Sequence, residues 1–135
     1  MANVQHLTTG FDNEHYMSRQ QLGYFRNRLM HWRHQLSTNI ERAGQDQFTG
    51  TGNASDWIDQ ASLQTQAELS RVNSEHTIRT IAEIDEALKR IRLGTYGFCI
   101  ATGEEIGIRR LIAMPTAKYS IEAQQAQEAQ RRKLR

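Results

Sequence analysis

The chain has 135 residues, of which 38% are hydrophobic, and a formal net charge of +2. This length predicts one domain with a modest core, and the small net charge alone gives no argument for nucleic-acid binding. A single cysteine excludes an internal disulfide, and no apolar run reaches the roughly 20 residues of a membrane span. Because the N-terminus lacks the basic and apolar regions of a secretory signal, we expect a cytoplasmic protein.

The first predicted element is a long amphipathic helix. Apolar residues recur at spacings of three and four from Leu22 to Ala43, so they form one stripe along it. Ser18 is suited to cap its N-terminus, and the pattern predicts an end at Gly44. Residues 1–17 precede the helix.

A second long helix is predicted to end at Gly94, where a glycine cap is expected. Its stripe consists of Leu63, Ala67, Ser74, Ile78, Ile81, Ile84, Leu88 and Ile91. Both stripes are as narrow as a coiled-coil seam, and the segment between them has glycines and no periodicity. We therefore predict a mainly α protein with an antiparallel coiled-coil hairpin over residues 18–93 and a tip at about 45–61.

The sequence GFCIATGEEIGIRR, residues 97–110, has the turn glycines of a zinc knuckle but one cysteine. In a frame of two Cys-x-x-Cys pairs, the four ligand positions are Cys99, Thr102, Ser120 and Ala123. Structural zinc needs four Cys or His ligands, so residues 94–119 are predicted to be a degenerate zinc-finger-like module without metal. Packing would hold it through Tyr96, Phe98, Ile106, Ile108, Leu111, Ile112 and Tyr119, with Cys99 as a small buried hydrophobic group.

The remaining sequence has a helical pattern over residues 116–133. As a division of the chain, residues 120–135 are assigned to a C-terminal helix and basic tail. His31 and His34 are interpreted as solvated surface. No nucleophile elbow, phosphate-binding loop or zinc-protease motif occurs, which argues against an enzyme.

Asp56 and Asp59 lie where the second helix is predicted to begin, next to Trp57. Two interpretations stay open. The carboxylates cap the first amides and meet the positive end of the helix dipole, or they form a contact surface with the indole at the hairpin tip.

The chain resembles the DksA/TraR family, bacterial factors that act on RNA polymerase through its secondary channel. The matching stretches are YMSRQQLGYFRNRLMHWRHQL, SDWIDQAS, GTYGFCIATGEEIGIRRL and MPTAKYSIEA. The resemblance implies a globular end bearing the hairpin, with residues 1–17 as the N-terminal segment of that end. It places Asp56, Asp59 and Ala61 near the polymerase active site. It also implies a regulator of promoter-complex stability that represses ribosomal promoters and activates some biosynthetic ones, with guanosine tetraphosphate as co-regulator.

Two departures from the family pattern matter. The chain resembles the cysteine-poor branch, which implies a paralogue that works when zinc is scarce. Arg110 matches a basic position that implies a polymerase or alarmone contact. Met114 and Gln124 stand where the family's alarmone contact has Arg and Lys.

Other functions stay open at this level. One is a channel factor that activates transcript cleavage, although two acids three residues apart at a helix start need not converge on one metal ion. Another is a structural coiled-coil or DNA-binding protein that uses its basic tail. Because the tail has no base-reading element, we expect no sequence-specific DNA binding, and we expect no membrane partner.

Overall fold

The computed structural model of the protein describes residues 15–49 and 57–134, with the backbone alone for the helix ends at 45–49 and 57–60. Four helices lie in these ranges: α1 at Arg19–Thr49, α2 at Trp57–Leu93, α3 at Ile108–Ala113 and α4 at Ile121–Lys133. The long helices α1 and α2 pack together, which confirms the predicted mainly α fold with a coiled-coil hairpin. Extended pairing within the described ranges is limited to the bridge between Phe98 and Glu105.

The start of α1 is the predicted one, but its end is not. The hydroxyl of Ser18 accepts a hydrogen bond from the Gln21 amide at 3.2 Å, as an N-cap does. The helix then continues through Gly44 to Thr49, so the prediction of an end at Gly44 was wrong. Gly44 lacks the positive φ of a C-terminal cap, and one interior glycine costs a helix only about 1 kcal/mol relative to alanine.

The end of α2 confirms the glycine cap. Gly94 has a φ of 76°, and the amides of Thr95 and Tyr96 both donate to the carbonyl of Arg90, at 2.9 and 3.2 Å. These bonds satisfy a carbonyl that the last helical turn leaves free.

The predicted seam of α2 needs a correction in its first half. Ile78 is 58% exposed, and Leu63 and Ala67 are exposed as well. The covered positions include a series spaced alternately by four and three residues, with Thr80, Ala87 and Arg90 covered beside it: Ser70, Ser74, Thr77, Ile81, Ile84, Leu88 and Ile91. This heptad spacing fixes the face of the helix, so polar Thr77 takes the place that apolar Ile78 was predicted to fill.

The region after α2 contains a helix that was not predicted, α3, and α4 begins later than residue 116. The Ala117 amide donates to the carbonyl of Met114 at 3.0 Å, which closes a turn around Pro115. Ser120 then caps α4, because its hydroxyl accepts a hydrogen bond from the Ala123 amide at 3.2 Å. A proline turn followed by a serine cap sets the later start.

The chain divides into two units. The first comprises the chain up to Met30 together with Ile84–Arg135, and it contains the buried core. The core consists of Phe25, Leu29, Ile84, Ala87, Tyr96, Cys99, Ile106, Leu111, Ile112, Ala117 and Ala123. The rings of Phe25 and Tyr96 lie 5.7 Å apart at its centre.

The second unit, His31–Glu83, consists of parts of α1 and α2. Among its described side chains none is buried. The half-buried ones include Trp32, Leu36 and Ile40 on α1 and Ser74 and Ile81 on α2. A helix pair of this kind is stabilised by a narrow seam rather than by an enclosed core.

None of the helices within 15–49 and 57–134 is long and apolar enough to cross a membrane.

Candidate functional site

The knuckle, residues 97–107, is a tight loop closed by backbone hydrogen bonds. The Cys99 amide donates to the carbonyl of Glu104 at 2.7 Å, and the Ile106 amide donates to Gly97 at 2.8 Å. The Ile100 amide donates to Lys118 at 3.0 Å, which joins the knuckle to the segment before α4. The loop thus keeps a knuckle backbone although the sequence supplies one cysteine.

The fold brings the vestigial ligand positions together. The hydroxyl of Thr102 and the backbone amide of Ser120 both hydrogen-bond to the sulfur of Cys99. Ser120 is buried, and its own hydroxyl accepts the amide hydrogen bond from Ala123, which is also buried. Hydrogen bonds therefore link Cys99 with Thr102 and Ser120, and Ser120 with Ala123.

Cys99 is buried as predicted, with 3% of its surface exposed, but it is not simply an apolar group. Burial by itself would raise the thiol pKa. Hydrogen bonds from the Thr102 hydroxyl and from the amides of Ser120, Thr102 and Ala101 outweigh that effect and lower the pKa to about 6. The interpretation of Cys99 as a small hydrophobe was therefore incomplete, because donors that stabilise a thiolate surround the sulfur.

This donor set does not fit a structural zinc ion. One thiolate is present, the Ser120 hydroxyl already accepts a hydrogen bond as a helix cap, and Ala123 has no donor atom. A tetrahedral site needs four sulfur or nitrogen ligands. Within the described ranges, no group of three or more His, Cys, Asp or Glu residues is arranged to hold a metal.

The predicted apolar residues pack around the knuckle, but they differ in how deeply they are buried. Tyr96 is buried and its hydroxyl donates to the carbonyl of Pro115 at 2.7 Å. Leu111 is fully buried. Phe98 is only half-buried, as are Ile108 and Tyr119.

Tyr16 is a contact residue that the sequence analysis missed. Its hydroxyl donates to the carbonyl of Gly97 and accepts a hydrogen bond from the Gly107 amide at 3.0 Å. Its ring meets Phe98 edge to face, with centroids 5.4 Å apart. These partners lie 81 and 91 positions away in sequence, so no local pattern could have indicated them.

Arg110 lies in α3, just after the knuckle, and its side chain is held by two hydrogen bonds. Its Nε donates to the carbonyl of Tyr119 at 3.0 Å, and its Nη2 donates to the side-chain oxygen of Gln124. Met114, at the other position expected to contact the alarmone, is 49% exposed. The guanidinium of Arg110 is therefore oriented by an uncharged neighbour.

The predicted tip lies largely outside the described residues. Asp56 is outside them, and Asp59 is described by its backbone alone, in the first turn of α2. Ala61 is exposed. Helix α2 begins at Trp57, as the motif predicted, and His31 and His34 are exposed as predicted.

Two family profiles match the chain. One, described as "DnaK suppressor protein DksA, N-terminal domain", covers residues 21–91. The other, described as "Prokaryotic dksA/traR C4-type zinc finger", covers residues 94–129. The second match coexists with the loss of three of the four cysteines that its description implies.

Known proteins are similar over most of the chain. An RNA polymerase-binding transcription factor DksA of Caulobacter vibrioides is 36% identical over 121 residues, which is 90% of this chain and 85% of the relative. The protein of the same name from Escherichia coli K12 is 32% identical over 90% of this chain and 80% of its own length. The structure of transcription factor DksA2 from Pseudomonas aeruginosa superposes with a TM-score of 0.76 at 37% identity, covering 87% of this chain and 90% of that one.

Proposed function

Because the chain belongs to the DksA/TraR family, we propose that it is a non-enzymatic transcription regulator that binds RNA polymerase. The segment between α1 and α2 would enter the secondary channel. There it would change the stability of promoter complexes, with ribosomal promoters repressed and some biosynthetic ones activated. The observation that carries this proposal is the similarity to RNA polymerase-binding relatives over 90% of the chain, from α1 through α4.

The proposed contact with the polymerase active site consists of Asp56, Asp59 and Ala61. Support comes from the start of α2 at Trp57, which puts Asp59 in the first helical turn and the exposed Ala61 two residues further on. Acids near the N-terminus of a 37-residue helix are stabilised by its dipole, so capping and contact are compatible at these positions.

The knuckle is proposed to work without zinc, which would suit a regulator used when zinc is scarce. Its support is the donor set, with one thiolate and no free hydroxyl at Ser120. Arg110 is proposed to contact the polymerase or guanosine tetraphosphate. With Met114 and Gln124 beside it in the motif, the alarmone response would be weak. We propose that the protein binds neither membranes nor specific DNA sequences, and that it is located in the cytoplasm.

The test is capture of purified core RNA polymerase on the immobilised chain, followed by transcription from a ribosomal promoter. Binding together with repression would support the proposal. Capture without any transcriptional effect would contradict the regulatory part, and failure to capture polymerase would contradict the whole. Shortened RNA from a stalled elongation complex would instead indicate a cleavage-activating factor, and retention of bare duplex DNA would indicate a DNA-binding protein.

A further inference from the structure

The segment just before α1, residues 15–18, crosses the base of the knuckle, and we refer to it as the N-terminal strap. Its Tyr16 hydroxyl contacts both ends of the knuckle, as donor to Gly97 and as acceptor from Gly107. The Gly97 carbonyl also accepts the Ile106 amide. A single hydroxyl therefore bridges the two ends of the knuckle loop.

The strap fits the knuckle too closely for a side chain at Gly97. A Cβ there would lie 2.7 Å from Cγ and 2.8 Å from Sδ of Met17, distances that real Cβ atoms do not show. Gly97 and Gly107 also have φ values of 91° and 104°, which favour glycine. Gly97 thus forms the surface against which Tyr16 and Met17 pack, and Gly107 contributes its amide to the Tyr16 hydroxyl.

The strap is itself held in place by the start of α1. Met17 has a φ of 57°, unusual for a residue with a side chain. Its amide donates to the side-chain oxygen of Gln21 at 2.6 Å. Gln21 is buried, with 1% of its surface exposed, and its amide donates to the hydroxyl of Ser18. These hydrogen bonds hold the strained backbone of Met17 in place, as is common where a strained conformation has a function.

We propose that the N-terminal strap holds the knuckle closed through Tyr16, in place of the cross-link that four metal bonds would provide. A structural zinc ties the two halves of a knuckle together, and folding of such modules depends on it. Here the cross-link joins Gly97 to Gly107 through one phenol. The inference does not depend on polymerase binding.

The chemistry of the phenol suits this role. Burial raises the pKa of Tyr16, so the hydroxyl keeps its proton at neutral pH. A neutral hydroxyl can donate and accept at once, which the two opposed backbone partners require. The edge-to-face contact with Phe98 orients the ring over the loop.

Tyr16→Phe is the direct test, because it removes the two hydrogen bonds and keeps the ring. We expect amide hydrogen exchange at Gly107, Ile106 and Cys99 to accelerate by about tenfold, the factor that corresponds to about 1.4 kcal/mol. Exchange of the core amides of Leu29 and Ile84 should change by less than about twofold. Tyr119→Phe, at another half-buried tyrosine of the same unit, serves as the matched control and should leave the knuckle unchanged.

Three outcomes would overturn the proposal. Unchanged exchange throughout the knuckle would mean that its own packing suffices. Acceleration at Gly107 alone would mean that Tyr16 protects one amide and does not hold the loop. Equal acceleration of knuckle and core amides would mean that Tyr16 supports the unit as a whole.

A second measurement separates cross-linking from general support. In the variant Thr102→Cys, Ser120→Cys, Ala123→Cys loaded with zinc, the metal would supply the cross-link. Tyr16→Phe should then accelerate exchange at Ile106 and Cys99 by less than about threefold. An undiminished tenfold effect in the zinc-loaded protein would show that strap and metal act independently, and would overturn the idea that one replaces the other.

Discussion

The guanidinium of Arg110 donates to the side-chain oxygen of Gln124, a neutral group. A lysine at position 124 would bring a second positive charge to the place where Arg110 now finds an acceptor. Relative to such a lysine, Gln124 exchanges a positive charge for an internal hydrogen bond. We expect this exchange to reduce the attraction of the site for a phosphate-bearing ligand.

Alarmone dependence should follow from this exchange. We expect the effect of the wild-type chain on a ribosomal promoter to change little when guanosine tetraphosphate is added. The double variant Met114→Arg, Gln124→Lys should gain a clear response, because two cations would then flank Arg110. In vitro transcription with and without the alarmone checks this, with Gln125→Lys, at an exposed position of α4, as the charge control. A strong alarmone response of the wild-type chain would contradict it.

Asp59→Asn should separate polymerase binding from regulation. Asparagine loses the attraction of the carboxylate to the helix dipole, so the free energy of unfolding should fall by only about 0.3–1 kcal/mol. Polymerase capture should be nearly unchanged while promoter repression is lost. Glu68→Gln, the same change at an exposed acid further along α2, should remain active. If Asp59→Asn represses normally, the carboxylate serves only to stabilise the helix.

The Cys99 thiol should make stability depend on pH. Its pKa is about 6 in the folded chain against an ordinary value of 9.0. A depressed pKa gives a stabilisation that is present above pH 9 and is lost as the pH falls through 6. The difference in melting temperature between wild type and Cys99→Ser should therefore grow between pH 6 and pH 9. A constant difference across this range would show that the donors around the sulfur do not favour a thiolate. Thr102→Val, which removes one donor, should flatten the dependence in part.

Arg90 offers a stabilising substitution. Its Nη2 is buried, with no hydrogen-bond partner among the described residues, and burial lowers the pKa of the guanidinium. An unsatisfied buried donor costs about 1–3 kcal/mol. Arg90→Met keeps an unbranched apolar stem, shorter than that of arginine, and removes that cost, so we expect a gain of about 1 kcal/mol in denaturant unfolding. Arg92→Met, in the same last turn but exposed, controls for the lost interaction with the helix dipole and should be neutral or slightly destabilising.

Depth of burial should rank the packing residues of the first unit. Leu111 is fully buried, so Leu111→Ala should cost about 2–5 kcal/mol. Phe98 is half-buried against Tyr16, so Phe98→Ala should cost less, although the two residues looked equivalent in sequence. Thermal melts followed by circular dichroism give the order. A larger loss for Phe98→Ala would mean that the Tyr16 contact carries more than its area suggests.

The long helices could be predicted because the helical spacing of apolar residues repeats over many turns. The exact face was harder. Thr77 and Ile78 both lie within a turn of Ile81, and hydropathy favoured Ile78, whereas the heptad phase set by Ile81, Ile84 and Leu88 selects Thr77. The six-residue helix α3 is too short for a period to show.

The candidate site was predictable only in outline. Spacing selected Cys99, Thr102, Ser120 and Ala123, and the structure shows hydrogen bonds from Cys99 to Thr102 and Ser120 and between Ser120 and Ala123. The donors around the Cys99 sulfur depend on how the turns aim backbone amides, which side-chain identity does not encode. The Tyr16 contacts span more than eighty residues, so they arise from the tertiary fold.

The absence of buried side chains from the described part of the second unit has a consequence for how the chain denatures. Turns whose half-buried side chains are Ser70, Ser74 and Thr77 can open while the core around Phe25 and Tyr96 stays intact. Denaturation then proceeds in more than one step, and the melting temperatures predicted for Cys99, Leu111 and Phe98 variants refer to the step in which this core unfolds. Among the described residues, the helical turns of the second unit are accordingly expected to open at the lowest free energy.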